Sequence, residues 1–177
     1  MTSSADAATR ASQLRIMLFD VDGVLTDGTL LYGEDGEKLK AFNTLDGHGL
    51  KMLAEVGIRT GIITGRRSRA LALRCADLGI NILHQGVADK AAVFASVLTE
   101  CGLRADQAGY MGDDVVDLPV MVRCAFAAAV PAAPVDVRSR AHYVTQAGGG
   151  RGAAREVCDF ILRAQGKFDG LIAGYLA

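Results

Sequence analysis

Features of several other protein classes are missing from this 177-residue sequence. Half of the residues are apolar, yet no apolar run approaches the length of a membrane span. The net charge of −1 gives no basic surface of the kind that attracts nucleic acid. The cysteines form no CxxC pair, which argues against a zinc site or a disulfide framework and fits a reducing cytoplasm. The four are far apart in the chain: Cys75, Cys101, Cys124 and Cys158.

What is present is the pattern of one α/β domain. Short apolar runs that end in polar residues and glycine alternate with helical segments, which is typical of βαβ units and a mainly parallel sheet. No repeat or linker divides the chain, and its length fits a single domain with a sizeable core. We therefore predict a Rossmann-like three-layer sandwich.

Both ends of the chain are expected to lie outside the core domain, which we place at residues 14–165. Residues 1–12 are small and polar, without the hydrophobic segment of a signal peptide, so we expect a loose N-terminal tail over residues 1–13. Residues 166–177 are apolar and spaced by glycine, and they are expected to form a C-terminal tail. This tail either reaches into a neighbouring site or is a frayed end.

The stretch between the first strand and the first helix predicts a projecting β-hairpin at about residues 27–43. Its turn signal is Gly33-Glu34-Asp35-Gly36, and residues 37–42 alternate between polar and apolar. Residues 43–49 are predicted as a polar loop, and a helix is predicted from Leu50 to Val56. Because the insertion is too short for a lid domain, we expect the site to have no lid of its own.

Asp20 and Asp22 are the first candidate functional residues. They follow Ile16-Met17-Leu18-Phe19, a run that is typical of a buried strand, and Gly23 allows the backbone to turn after them. Two carboxylates at the carboxyl end of such a strand can hold a hard cation, and one of them can act as a nucleophile towards phosphorus. The simple alternative for this short motif is a solvated turn that is rich in aspartate.

Three later strands are also followed by polar residues that suit phosphoryl transfer. They are Thr64, the helix start Asp89-Lys90, and Asp113-Asp114. Each of them alone is often a turn, cap or surface residue. The carboxyl ends of parallel strands face the same way, however, so these groups are expected to converge on one crevice with Asp20 and Asp22.

Their chemistry predicts a Mg²⁺-dependent phosphoryl-transfer site. Asp20 and Asp113 offer carboxylate oxygens, the ligands that Mg²⁺ prefers. Asp22 is free to act as general acid and then general base. Thr64 and Lys90 offer a hydroxyl group and a cation to the transferring phosphoryl group.

The order of these motifs resembles the haloacid dehalogenase superfamily of phosphatases. Within it, the chain resembles the family that acts on 3-deoxy-D-manno-octulosonate 8-phosphate, and residues 43–49 and 149–158 single out that family. The resemblance extends from Leu18 to Lys167. The stretches that carry it are FDVDGVLTDGTL, KAFNTLDGHG, IITGR, HQG, YMGDDVVDLPVM and GGGRGAAREVCDFIL.

This resemblance implies an activity and a set of catalytic roles. The activity is Mg²⁺-dependent hydrolysis of the sugar-acid phosphate through an aspartyl-phosphate intermediate, in the synthesis of lipopolysaccharide precursors. Asp20 would be the nucleophile and a metal ligand. Asp22 would be the acid–base group with its backbone carbonyl on the metal, and Asp113 the third metal ligand. Thr64 and Lys90 would hold the phosphoryl group.

The resemblance also implies substrate-binding positions. They are Asp22, Asn43, Thr44, Leu45, Asp46, Gly47, Lys51, Arg66, Arg74 and Lys90. Leu45 and Lys51 stand where arginine is common in the family. These departures leave the exact sugar-acid phosphate open, with 2-keto-3-deoxynononate 9-phosphate as the alternative substrate. A non-catalytic module that only assembles partners is the alternative from a different class of function.

The hairpin suggests how the protein assembles. Two strands alone are marginal in water, and this pair carries apolar residues in Leu30-Leu31-Tyr32 and between Leu39 and Phe42. Pairing with the hairpins of other subunits would cover these side chains. The resemblance implies a homotetramer formed in this way, in which a neighbouring subunit completes the active site.

Overall fold

The computed structural model describes residues 4–176, and its centre is a six-stranded parallel sheet flanked by helices. The strands lie in the order β5-β4-β1-β6-β7-β8, while β2 and β3 form a separate antiparallel pair. Their bounds are β1 (Ile16–Phe19), β2 (Leu31–Gly33), β3 (Gly36–Leu39), β4 (Arg59–Thr64), β5 (Ile82–Gln85), β6 (Ala108–Gly112), β7 (Phe126–Ala129) and β8 (Tyr143–Val144). The predicted α/β class and mainly parallel sheet are confirmed.

Eight helices accompany these strands in the described part of the chain. They are α1 (Ser4–Ala11), α2 (Thr44–Glu55), α3 (Arg69–Leu78), α4 (Lys90–Cys101), α5 (Leu118–Met121), α6 (Val135–Arg138), α7 (Ala153–Ala164) and α8 (Phe168–Leu176). Two short 3₁₀ turns lie at Ala105–Gln107 and Val115–Asp117. None of the helices between residues 4 and 176 is long and apolar enough to cross a membrane.

The position of β1 explains why its sequence is a continuous apolar run. It lies between β4 and β6, and all four of its side chains are fully buried. A strand that is covered on both faces of a parallel sheet has no polar side to present. The chain leaves the carboxyl end of β1 at Asp20, where the backbone N–H of Asp20 still donates to the carbonyl of Met111 in β6, at 2.9 Å.

The predicted hairpin is present as β2 and β3. It pairs Leu31 with Leu39 and turns between Gly33 and Gly36, where φ of Gly36 is +102°. The side chains of Leu31, Tyr32 and Leu39 are 47%, 61% and 66% exposed. The hairpin therefore offers apolar surface that the rest of the described chain does not cover.

The N-terminal segment differs from the predicted loose tail. Residues 1–3 lie outside the described residues, but residues 4–11 form α1, which buries Ala7 and Ala11 one turn apart. The end of α1 is held by Gln165, whose side-chain amide donates to the carbonyls of Ala11 at 3.3 Å and Leu14 at 2.9 Å. The prediction is wrong because Ala7 and Ala11 lie on one face of the helix, and their side chains are small enough for that face to pack closely.

The start of α2 is a second correction, because residues 44–49 are helical and not a loop. The side chain of Asn43 accepts a hydrogen bond from the N–H of Leu45 and caps the helix. Gly47 and Gly49 face close neighbours: a Cβ on Gly47 would lie 2.2 Å from the Arg74 guanidinium, and one on Gly49 would lie 3.1 Å from Cα of Arg155. The glycines thus serve close packing within a helix.

The C-terminal segment is also helical. The guanidinium of Arg163 in α7 lies 3.6 Å from the ring centre of Phe168, and the ammonium of Lys167 donates to the carbonyl of Val56 at 3.1 Å. Near its end, the Tyr175 hydroxyl lies 3.2 Å from Nε2 of His48 on α2. Within one chain α8 therefore packs on α7 and α2.

Candidate active site

A cleft of about 300 Å³ opens at the carboxyl ends of β1, β4 and β6. It brings together all residues that were predicted as catalytic or metal-binding, together with Arg66. They are Asp20, Asp22, Thr64, Lys90 and Asp113. The convergence follows from the parallel sheet, since each residue lies at or just beyond the end of a strand or at the helix start that follows one.

A buried network surrounds the Asp20 carboxylate. The Lys90 ammonium lies 2.8 Å from Oδ1 of Asp20 and 2.6 Å from Oδ1 of Asp117. The hydroxyl of Tyr110 donates to the same oxygen of Asp117, at 2.7 Å. The other oxygen of Asp117 accepts from the backbone N–H groups of Asp113 at 3.1 Å and Asp114 at 3.2 Å. Lys90 is therefore fixed between two carboxylates, and Asp117 has four donors.

Asp22 has different surroundings, although it is only two residues from Asp20. Its carboxylate forms an ion pair with Lys40, and its other oxygen lies 3.6 Å from Nε of Arg66. The side chain of Lys40 is only 4% exposed and also lies 3.5 Å from Glu37, while Arg66 donates to the hydroxyl of Tyr32 at 3.1 Å. The end of the hairpin thus places Lys40 beside the carboxylate of Asp22, and the end of β4 places Arg66 there.

The charges in the cleft are not balanced. Burial raises the pKa of Asp20 to about 6, and the Asp117 carboxylate adds to the rise while Lys90 opposes it. Burial and the neighbouring carboxylates of Asp20 and Asp117 raise the pKa of Asp113 to about 7. Burial alone would lower the pKa of Lys90, but the two carboxylates raise it above its usual value. One ammonium does not compensate three clustered carboxylates.

This imbalance fits a divalent cation. One oxygen each from Asp20, Asp113 and Asp117 lies within 4.8 Å of the others. Asp117 is the least suited of the three as a ligand, because both of its oxygens already accept hydrogen bonds. Asp20 and Asp113 retain capacity for a cation, and hard oxygen ligands suit Mg²⁺. The donor set therefore fits the metal that the sequence predicted.

The remaining predicted substrate-binding residues lie outside this cleft within one chain. Thr44, Leu45 and Lys51 are exposed on α2. A second, small pocket beside α2 is lined by Asn43, Asp46, Gly47 and Arg74. The carboxylate of Asp46 accepts from the N–H groups of Gly152 at 3.2 Å and Arg155 at 2.8 Å, so it caps α7. Substrate contact by these residues stays a prediction.

The sequence did not indicate roles for Lys40, Tyr110 and Asp117. Asp117 had a signal, because it follows Asp114 by three residues, which is the spacing of a capping box. Tyr110 is an inward-facing residue of β6, and its hydroxyl required a polar partner once buried. Lys40 had no local signal, since its contact with Asp22 depends on the path of the hairpin through space.

The chain is similar to several characterised proteins, although no protein-family model matches it. It is 45% identical to the 3-deoxy-D-manno-octulosonate 8-phosphate phosphatase KdsC of Escherichia coli strain K12, over 94% of this chain and 88% of that protein. It is likewise 45% identical to the crystal structure of the phosphatase of this name from Yersinia pestis, with a TM-score of 0.91, over 93% of this chain and 89% of that one.

A third similar protein was solved with ligands. It is the 3-deoxy-D-manno-octulosonate 8-phosphate phosphatase of Moraxella catarrhalis, in complex with a magnesium ion, a phosphate ion and a KDO molecule. The two chains are 36% identical with a TM-score of 0.95, over 98% of this chain and 99% of that one. These likenesses extend over nearly the whole chain.

Proposed function

Because this chain belongs to the 3-deoxy-D-manno-octulosonate 8-phosphate phosphatase family of the haloacid dehalogenase superfamily, we propose that it hydrolyses that sugar-acid phosphate to the free sugar acid and phosphate. The reaction belongs to the synthesis of lipopolysaccharide precursors. The observation that carries this proposal is the cleft, in which two differently paired aspartates, a buried lysine and a cation-binding carboxylate cluster meet.

Asp20 is the nucleophile of the proposed reaction. Its carboxylate oxygen forms a bond to phosphorus while the bond from phosphorus to the leaving alcohol breaks, which gives an aspartyl-phosphate. Asp22 donates the proton that the alcohol needs. It then takes a proton from a water molecule that attacks phosphorus, so that phosphate is released and the carboxylate of Asp20 is restored.

The other residues of the cleft hold the phosphoryl group in place. The ammonium of Lys90, 2.8 Å from Asp20, and the hydroxyl of Thr64 interact with the phosphoryl oxygens. When bound by the carboxylates of Asp20 and Asp113 and the backbone carbonyl of Asp22, Mg²⁺ neutralises phosphate charge and helps to keep Asp20 ionised. Asp117 keeps Lys90 pointing into the cleft.

The sugar-acid part of the substrate is proposed to meet cations at the mouth of the cleft. The side chain of Arg66 is 41% exposed there, and a guanidinium can bind a carboxylate with two parallel hydrogen bonds. Residues 43–47, Lys51 and Arg74 are proposed as further substrate contacts. Since they lie outside the cleft of their own chain, they would act in the cleft of a neighbouring subunit.

The assembly that suits this site is a homotetramer joined through the hairpins. The exposed side chains of Leu31, Tyr32 and Leu39 supply the apolar surface for it. A neighbouring subunit would cover the cleft, which has no lid within the described residues, and so would exclude water. The segment after Gly166 is proposed to reach a neighbouring site, and the protein is proposed to act in the cytoplasm.

Phosphate release from purified protein with Mg²⁺ tests the substrate. We expect a higher kcat/KM for 3-deoxy-D-manno-octulosonate 8-phosphate than for 2-keto-3-deoxynononate 9-phosphate. The reverse order would assign the second sugar acid as the substrate. The preference would then be attributed to Leu45 and Lys51. Silence with both compounds and with an aryl phosphate would favour a non-catalytic assembly module.

A further inference from the structure

A glycine loop, residues 148–152, packs directly on the active-site turn, residues 21–26, which follows Asp20. The N–H of Gly150 donates to the carbonyl of Val24 at 2.9 Å. A Cβ on Gly149 would lie only 1.8 Å from the carbonyl oxygen of Gly23 and 2.9 Å from that of Thr26. No side chain fits between the loop and the turn at this point, so the two backbones are in contact.

The turn is in equally close contact with the cation cluster on its other side. Gly23 has φ of +90°, and a Cβ there would lie 2.0 Å from Oδ2 of Asp113. The carboxylate of Asp113 therefore rests on the Cα of Gly23. Gly149, Gly23 and Asp113 form a stack, and a displacement of the first would be transmitted through rigid backbone to the third.

The glycine loop is held from behind by the start of α2. The side-chain amide of Asn43 donates to the carbonyl of Gly150 at 3.3 Å. The carboxylate of Asp46, which is 2% exposed, accepts from the N–H groups of Gly152 and Arg155. The loop is thus wedged between α2 and the active-site turn, and it cannot move back without breaking these bonds.

We propose that the glycine loop sets the distance between the active-site turn and Asp113, and that Gly149 is a positioning residue for the metal site. The proposal rests on the proposed function, because it assigns the loop to the metal site of that reaction. Asp20 directly precedes the active-site turn and the Asp22 carbonyl lies on it, whereas Asp113 follows another strand. Their mutual spacing therefore depends on what presses the turn against Asp113.

The neighbouring glycine provides a matched control. A Cβ on Gly148 would meet nothing within 4 Å, and neither Gly148 nor Gly149 has φ in the left-handed region. Gly148→Ala and Gly149→Ala therefore introduce the same methyl group one residue apart, without backbone strain of their own. They differ only in whether that methyl group meets the active-site turn.

Titration calorimetry of Mg²⁺ into the full-length variants tests the proposal without substrate. Gly149→Ala is expected to weaken Mg²⁺ binding by about 10-fold to 100-fold, the usual effect of losing support behind a metal ligand. Gly148→Ala is expected to bind Mg²⁺ as the unaltered protein does. Circular dichroism accompanies both titrations. Equal Mg²⁺ affinity in the two folded variants would overturn the proposal.

A second variant keeps the test decisive if Gly149→Ala does not fold. Asn43→Asp retains the oxygen that caps α2 but places a carboxylate oxygen against the carbonyl of Gly150. We expect weaker Mg²⁺ binding here too, and unchanged affinity would overturn the proposal. Unaltered protein that binds Mg²⁺ but hydrolyses no sugar phosphate would contradict the proposed function alone.

Discussion

At the scale of single residues, two aspartates two positions apart are paired with different cations. Asp20 faces the buried ammonium of Lys90, and Asp22 faces Lys40 from the hairpin and Arg66 from the end of β4. A nucleophile that is ionised beside a cation and a separate proton carrier are the two requirements of the proposed reaction. The separation arises where the chain leaves β1, because it bends directly after Asp20 and turns at Gly23, whose φ is +90°.

The proton-carrier role of Asp22 predicts a dependence on the leaving group. Asp22→Ala should lower kcat for the sugar-acid phosphate by about 10²-fold to 10⁴-fold, because the alkoxide would leave without a proton. The loss should be much smaller for an aryl phosphate, whose phenolate leaves unaided. Steady-state phosphate release with both substrates measures this, and equal losses would count against the acid role.

The repulsion among the carboxylates predicts how the metal-free protein responds to pH. The pKa of Asp113 rises from its ordinary value of 3.8 to about 7 on folding. Between these pH values the folded protein holds more protons than the unfolded chain, so stability is lost as pH rises through the window. With a chelator present, Asp113→Asn should therefore gain Tm relative to the unaltered protein between pH 5 and pH 8.

Calorimetric unfolding across this pH range checks the prediction. Added Mg²⁺ should raise the Tm of the unaltered protein at pH 8 and have little effect on Asp113→Asn, because the variant lacks one anionic ligand. A Tm difference that stays constant with pH, or a variant that is less stable at pH 8, would contradict the assigned repulsion.

Much of the site could be predicted at this scale, and the reason is topological. Asp20, Thr64 and Asp113 each end an apolar run, and parallel strands bring such ends together. Lys40 could not be predicted, because its contact with Asp22 spans 18 residues and depends on the course of the hairpin. Sequence periodicity carries no information on contacts of that kind.

At the scale of secondary-structure elements, helix α2 shows where sequence patterns misled. Two glycines and several polar residues over 43–49 are typical of a loop, yet the helix begins at Thr44. The helix is stabilised by the Asn43 cap and by packing on α3 and α7, which lie later in the chain.

The capping of α7 by Asp46 predicts a loss of stability. Asp46→Ala leaves the N–H groups of Gly152 and Arg155 without their acceptor, and a buried donor without a partner costs about 1–3 kcal/mol. Urea unfolding measures the change. Glu55→Ala, at the exposed end of α2, the helix that carries Asp46, is the control and should have little effect. Equal unfolding midpoints for the two variants would show that Asp46 does not cap α7.

At the scale of the whole molecule, the hairpin is the feature that a single chain does not explain. It lies between β1 and α2 in the chain. Lys40, directly after β3, contacts Asp22 in the cleft, while the apolar side chains of the hairpin are exposed to solvent. A two-stranded ribbon of this size is not expected to be stable alone. The proposed association through hairpins would account for both its exposure and the open cleft of the described residues.

Light scattering tests this assembly. The purified protein should have the mass of a tetramer, and replacing Leu31 and Leu39 by serine should shift it to smaller species with lower activity, because the apolar contact is lost. Replacing exposed Leu73 on α3 by serine is a matched change away from the hairpin. A fully active monomer at micromolar concentration would contradict the proposed assembly through hairpins.

The most direct test of the account is phosphate release from 3-deoxy-D-manno-octulosonate 8-phosphate, measured side by side for the unaltered protein and Asp20→Asn. The account predicts release that requires Mg²⁺ in the first. The folded variant should release almost none, because an amide cannot supply the anionic oxygen that attacks phosphorus. An inactive unaltered protein, or a variant that keeps more than a few per cent of the activity, would contradict the claim that Asp20 carries this reaction.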